Sequence, residues 1–229
     1  MEVIYTQKVT CGAHYMQISN DDYKVTQIEK DLWAIEDIKS SEHTICYLVI
    51  GTDSSLLFDT GLGISPVSPI IQELTKFPIT VVLSHWHFDH CGAAHEFQNI
   101  LGWQSEAFQD ISQNGASETA IKKIVGQKFF ESIESNTYVV KPFPQIKLMD
   151  NEQTLKIGNF SFQVIYTPGH TADSICLYKP NQKWLFTGDT IYSGHNVPRV
   201  SADILEEIDK LLADNSYVTA SYPKLSLND

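Results

Sequence analysis

Long apolar runs are missing from this sequence. No stretch of about 18 apolar residues occurs in its 229 positions, and a membrane-spanning helix needs roughly that many. No membrane partner is therefore expected. Basic residues are also scarce: 16 Lys and Arg stand against 28 Asp and Glu, for a net charge of −12. An extended nucleic-acid face needs a surplus of cations to displace phosphate counterions, so no nucleic-acid partner is expected, although a small anionic substrate is not forbidden. Cysteine is sparse. The four, at 11, 46, 91 and 176, form no CxxC pair, which argues against a zinc ribbon or a thioredoxin-type site. They fit free, mostly buried thiols in a reducing compartment. The opening MEVIYTQKVTCGAHY lacks the basic and then apolar regions of a secretory signal. A cytoplasmic location is the expectation. Low-complexity tracts, short repeats and Pro/Gly/Ser linkers that would divide domains are absent too.

What is present suffices for a core. Apolar residues make up 42% of the chain and aromatics 11%, which excludes global disorder and suits one large domain. Residues 1–24 are polar and irregular, an arm or a first edge strand. The domain is expected over 25–229. VTQIEKDLWAIED (25–37) has the pattern of a hairpin turning near Glu29–Asp31, and HTICYLVIGTDSSLLFDTG (43–61) that of two strands around a Gly-Thr-Asp-Ser turn. ISPVSPIIQELTKF (64–77) has helical spacing, ITVVLSH (79–85) suits a strand buried on both faces, and CGAAHEF (91–97) a short helix. A polar helical insertion is expected at about 105–135. QIKLMD, TLKIG, FSFQVIYT, SICLYK and KWLFTGD then look like strands, ADILEEIDKLLAD (202–214) like a helix and SYVTASY (216–222) like a last strand. Two packed sheets with helices outside fit this order.

The informative stretch is Ser84-His85-Trp86-His87-Phe88-Asp89-His90. Three of the eight histidines fall within it. If His85 ends the strand, His85 and His87 point to one side of extended backbone. Two imidazoles on one side chelate a borderline metal such as zinc. Asp89 and His90 follow as the chain turns into a helix and face another position, so the spacing suits two metals better than one. TPGHTADS (167–174) sets His170 on a Pro-Gly turn after one predicted strand. FTGDT (186–190) sets Asp189 at the end of another.

With LFDTG (57–61), SHWHFDH (84–90), TPGHT (167–171) and TGDT (187–190), the sequence resembles the metallo-β-lactamase superfamily from about Val25 to Pro223. The resemblance implies an α+β fold, the αββα four-layer sandwich, with metals at one edge of the two sheets. It implies His85, His87 and His170 on a first metal, Asp89 and His90 on a second, and Asp189 bridging. Asp59 matches a family aspartate that orients a ligand imidazole; a turn cap is the plainer alternative. One departure stands out. The family's second metal also takes a late His, and here that segment is Tyr222-Pro223-Lys224-Leu225, with no His after His195. The second metal is then weak or absent, or a water fills the position, or His195 replaces the ligand or contacts substrate.

A bridging Asp, in place of the Cys of the commonest zinc β-lactamases, and a His87 where flavodiiron proteins carry Glu, narrow the likeness. The pattern is similar to glyoxalase II, N-acyl homoserine lactonases and acyl-coenzyme A thioesterases, and FDTGLG, HWHFDHCGA, TPGHTADSICLY and LFTGDTIYSG look closest to the thioesterase and glyoxalase II group. It implies a zinc-dependent hydrolase with one or two Zn²⁺ per chain that cleaves a small-molecule thioester or related acyl ester by attack of metal-bound hydroxide. Asp89 would pass the proton to the leaving group. Tyr192, at the offset of a lactonase Tyr, would contact the carbonyl or oxyanion, or else pack under its loop. Two rivals stay open: a mononuclear iron oxygenase like the persulfide dioxygenases, with Fe in place of zinc, and a binding protein that has lost activity. Cys91, His95, His14 and His43 are expected to be structural. Lys122, Lys123 and Lys128 suit a solvated helix face or a phosphate contact, and Phe129, Phe130, Tyr138 and Phe143 suit core packing or an acyl pocket. Oligomeric state and substrate are not encoded in any motif.

Overall fold

The computed structural model describes residues 17–19, 21–40, 43–125, 127–131, 133, 137–191 and 217–219. The first sheet follows sequence order. β1 (Gln17–Ser19), β2 (Tyr23–Glu29), β3 (Leu32–Asp37), β4 (Ile45–Ile50) and β5 (Ser55–Phe58) pair antiparallel. β6 (Ile79–Val82), β7 (Ile100–Gly102) and β8 (Lys147–Leu148) continue parallel to β5. The second sheet runs β9 (Thr154–Ile157), β10 (Phe160–Tyr166), β11 (Ile175–Lys179) and β12 (Trp184–Phe186), all antiparallel. It ends on β13 (Tyr217–Thr219), parallel to β12.

Side-chain alternation explains the layers. Successive residues of a strand face opposite sides, and here both sides are apolar. Cys46, Leu48, Leu57 and Val81 face one core together with helical residues Ile70, Ile71, Phe108, Ile121 and Phe130. Their neighbours Tyr47, Val49, Leu56, Phe58 and Val82 face a second core, against Phe160, Phe162, Leu177, Trp184 and Phe186 of the other sheet. This is why β4 to β6 look continuously apolar in the sequence. Ile165, Cys176, Tyr178 and Leu185 are buried on the outer face of the second sheet. The helix expected at 202–214 lies outside the described residues.

Helices α1 (Ser68–Leu74), α2 (Phe88–Cys91), α3 (Glu106–Asn114), α4 (Glu118–Val125) and α5 (Gln127–Glu131) occur between the strands. Ser105 caps α3 by accepting from the Phe108 N–H at 3.0 Å, and Gly115, at φ +67°, ends it. No helix among the described residues is long and apolar enough to cross a membrane.

Four local expectations are corrected. α1 is shorter than 64–77, because Pro66 disfavours helical geometry at Ser65 and the helix starts beside Pro69. The strand expected to reach His85 stops at Val82. Beyond Leu83, Ser84 gives its N–H to Asp59 and takes the Ile175 N–H from the second sheet. The short helix at 91–97 is instead α2 followed by a 3₁₀ turn, Ala94–Glu96. The chain leaves helical geometry at Ala93, φ −96° and ψ +11°, just after Gly92, where a Cβ would lie 1.8 Å from the Leu62 carbonyl oxygen. Strand β7 was not foreseen, although its core, Ile100 and Leu101, is apolar.

Candidate metal centre

Four loops meet at one edge. β5 and β6 are parallel, and β10 and β12 both run opposite to β11. Asp59 follows β5, His85–His90 follow β6, His170 lies four residues past β10 and Asp189 three past β12. All leave C-terminal strand ends. Two contacts tie the sheets together there: the Ile175 N–H donates to the Ser84 carbonyl at 2.9 Å, and His170 Nε2 lies 2.9 Å from His87 Nδ1.

His85, His87 and His170 form one group of converging nitrogen atoms, and His85, His90 and Asp189 form another, each with potential ligand atoms within 4.8 Å of one another. Asp189 spans the two. Its Oδ1 lies 3.2 Å from His90 Nε2 and its Oδ2 3.5 Å from His170 Nε2. Asp89 stands beside the second group, its Oδ2 3.5 Å from His90 Nε2. His85 thus belongs to both groups, whereas the motif spacing had placed it in the first alone. His85 and His87 are brought together by a loop pinned at Ser84, not by strand alternation, since β6 ends before them.

The hydrogen bonds behind the imidazoles set their tautomers. Asp59 is buried, and its carboxylate accepts from the Ser84 N–H at 2.7 Å, from the Ser84 hydroxyl at 2.9 Å and from His90 Nδ1 at 2.8 Å. A carboxylate only accepts, so Nδ1 of His90 carries hydrogen and Nε2 is the atom facing the cluster. The Ser84 hydroxyl spends its one hydrogen on Asp59. Towards His85 Nδ1, 2.9 Å away, Ser84 therefore acts as acceptor, and the lone pair of His85 falls on Nε2. Asp59 stands at φ +62°, a conformation that Asp and Asn tolerate better than other side chains. Gly188, at φ +50°, packs on the same serine; a Cβ there would lie 2.5 Å from Ser84 Cβ and Oγ.

The donor set fits a cation. His85 Nε2, His90 Nε2 and Asp189 Oδ1 are buried and close no hydrogen bond, a cost that native interiors avoid unless something else satisfies the atoms. Burial, and then the crowding of His90, His87 and His170, depresses the pKa of His85 well below the ordinary imidazole value. Burial brings His87 down to about 4 and lowers His170 as well. These are neutral imidazoles, the form that binds metal. Burial also opposes charge on His90, but Asp189, Asp89 and Asp59 outweigh it and raise its pKa well above the usual value. For Asp89, burial is outweighed by His90, which holds the carboxyl at about 2. Three carboxylates, Asp189, Asp89 and Asp59, thus act on one imidazole, and a bound divalent cation would neutralise that negative charge.

The other singled-out residues fall elsewhere. Cys91 ends α2 instead of starting a helix, and its Sγ donates to the Trp86 carbonyl at 3.3 Å. Cys46, Cys91 and Cys176 are buried thiols. His43 pairs with Glu36 at 3.1 Å, and His95 Nδ1 lies 3.3 Å from the Gly92 carbonyl oxygen. Phe129, Phe130, Tyr138 and Phe143 are core residues. Lys122 pairs with Glu118 and lies over the Phe130 ring. Tyr192, His195, His14, Cys11 and Tyr222–Leu225 lie outside the described residues, and so does the Lys128 side chain. Sequence reasoning gave no role to Ser84, though it directly precedes His85, nor to Trp86, whose ring meets that of His87 edge-on at 4.6 Å.

The profile of the metallo-β-lactamase superfamily matches residues 43–220. Among curated proteins, a probable metallo-hydrolase, YqgX of Bacillus subtilis, is 28% identical over 148 residues, 65% of this chain and 66% of that protein. Human acyl-coenzyme A thioesterase MBLAC2 is 23% identical over 176 residues, 68% of this chain and 61% of that one. A hydroxyacylglutathione hydrolase of Legionella pneumophila is 29% identical over 133 residues, 58% and 41% of the two chains. The chain thus spans about two-fifths to two-thirds of the length of these relatives. A solved metallo-β-lactamase from Pontibacter korlensis shares the fold, with a TM-score of 0.56 at 20% identity over 88% of this chain and 92% of that one. By the profile over most of its length, and by a fold that gathers the motif residues at one edge, this chain belongs to the metallo-β-lactamase superfamily.

Proposed function

We propose that the protein is a metal-dependent hydrolase of thioesters or related acyl esters. The observation that carries this reading is the paired donor set, in which Asp189 reaches from His90 to His170. The thioesterase and hydroxyacylglutathione hydrolase relatives support the substrate class. His85, His87 and His170 would hold one ion. His90 and Asp189, with His85 or Asp89 at the margin, would hold a second. When bound, the metal lowers the pKa of its water to about 7 and polarises an acyl carbonyl. The chain's own part is to keep the donors in place. Asp59 fixes His90, Ser84 fixes His85, and Gly188 lets the Asp189 turn pack on Ser84. In this reading Asp89, beside His90, takes the proton of the attacking water and returns it to the departing sulfur. A thiolate leaves more readily than an alkoxide, because its conjugate acid has a pKa of about 8.5.

Acyl-coenzyme A hydrolysis should be abolished by chelator and restored by zinc. His87→Ala should lower kcat/KM by at least about 100-fold, the order lost when a catalytic metal site is opened; unchanged turnover would sink the proposal. One observation favours a second reading. His85, His90 and Asp189 are two histidines and one carboxylate, the set of oxygen-activating iron sites. Elemental analysis of protein purified without an affinity tag decides: two zinc per chain supports the hydrolase, and one iron supports the oxygenase.

A further inference from the structure

A groove of about 450 Å³ lies between α3 and α4, against the metal motif. Its size falls in the range of small-molecule sites. Trp86 and Phe88, the two residues interleaved among the histidines and Asp89, form part of its wall. Ile111 and Ile121 line it from the two helices, and Ile124 stands at its edge, 57% exposed. The polar groups of the rim already have partners. The Asn114 amide donates to Asp110 at 2.7 Å, and the Ser117 hydroxyl accepts from the Ala120 N–H. No basic side chain is among the described residues that line it, and Asp110 makes the rim unfavourable for an anion. An uncharged apolar group is what this surface accepts.

We infer that the groove is the acyl-chain subsite of the enzyme, and that it selects aliphatic acyl groups of about six carbons or more over acetyl. The link to the chemistry is Trp86: it lines the groove, and its ring meets the His87 imidazole edge-on at 4.6 Å, although none of the six donor residues lines the groove itself. A chain lying against the indole would bring its carbonyl end towards the histidine cluster. The inference rests on the hydrolase reading, and the experiment separates the two.

The full chain, loaded with zinc, is assayed on acetyl-, hexanoyl- and decanoyl-coenzyme A. Burial of each methylene is worth up to about fourfold, so kcat/KM for hexanoyl should exceed that for acetyl by at least about 30-fold. Ala120→Trp fills the groove and Ile124→Asp charges its edge. Both sites are on exposed helix surface, and each variant should cut the hexanoyl-to-acetyl ratio by at least about tenfold. In parallel, S-decyl- and S-methyl-coenzyme A thioethers, which cannot be hydrolysed, are titrated into metal-depleted protein by calorimetry. The decyl compound should bind more tightly, and Ile124→Asp should erase the difference. Hydrolysis with no chain-length preference, or with a ratio unmoved by both variants, overturns the subsite and leaves the hydrolase standing. Groove-dependent decyl binding without hydrolysis of any thioester supports the subsite and overturns the hydrolase.

Discussion

Replacement of Asp59 by Asn tests whether the metal centre depends on hydrogen bonds one layer behind its ligands. Asn is the informative substitution. It keeps the shape of the side chain and tolerates the φ of +62°, so the backbone turn should survive. What changes is one oxygen, which becomes an amide. Oδ1 can still accept the Ser84 N–H. The position of Oδ2, which accepts from the Ser84 hydroxyl at 2.9 Å and from His90 Nδ1 at 2.8 Å, becomes a donor. His90 can then bond only by accepting at Nδ1, which moves its hydrogen to Nε2, the atom that faces Asp189. The Ser84 hydroxyl must likewise turn to accept. Its hydrogen then points at His85 Nδ1 and drives that imidazole to the wrong tautomer too. Loss of such a supporting contact costs 10- to 100-fold in metal affinity, or about 1.4–2.7 kcal/mol. With two ligands affected, the upper end is expected. Competition against a chromophoric chelator measures zinc affinity, and circular dichroism verifies the fold. A folded variant whose zinc affinity stays within about twofold of the parent would refute the tautomer argument.

Two further substitutions probe neighbouring parts. Ser84→Ala removes the link between Asp59 and His85 but leaves the Asp59–His90 bond intact, so zinc affinity should fall by about tenfold, less than in Asp59→Asn; an equal or larger loss in the same competition assay would contradict that order. Tyr138→Phe keeps the ring packing against Phe88 and Phe129 but removes the hydroxyl that donates to the Leu62 carbonyl at 2.6 Å. It leaves a buried acceptor without its donor, and denaturant unfolding should show a loss of about 1–3 kcal/mol; no loss would mean that the carbonyl finds another donor.

The metal motif was legible in the sequence because its residue types are rare and closely spaced. His85, His87, Asp89 and His90 lie within one loop and α2, and their nearness is guaranteed by the chain. The hairpin β2–β3 and the pair β4–β5 were legible because turn residues separate runs of alternating or continuous apolar character. The end of β6 was not. The residues after Val82 remain compatible with a strand, and the ladder stops because Asp59 and Ile175, distant in sequence, compete for the backbone of Ser84. The 3₁₀ turn at Ala94–Glu96 was hidden for the same reason, since Glu96 accepts from the Val67 and Ser68 N–H groups at the start of α1.

By itself, then, the amino-acid sequence determined the donor types and the two-faced apolar strands. The donor types and the strands follow from residue types and periodicity, which no distant contact can alter; the family was legible only as a resemblance of the four motifs. Only the tertiary structure decided that His85 faces both donor groups and that Ser84 transmits the hold of Asp59 to His85. It alone placed a groove beside Trp86. Each of these depends on where separate loops meet in space, to within the 3 Å reach of a hydrogen bond, and that is set by the packing of two sheets against each other.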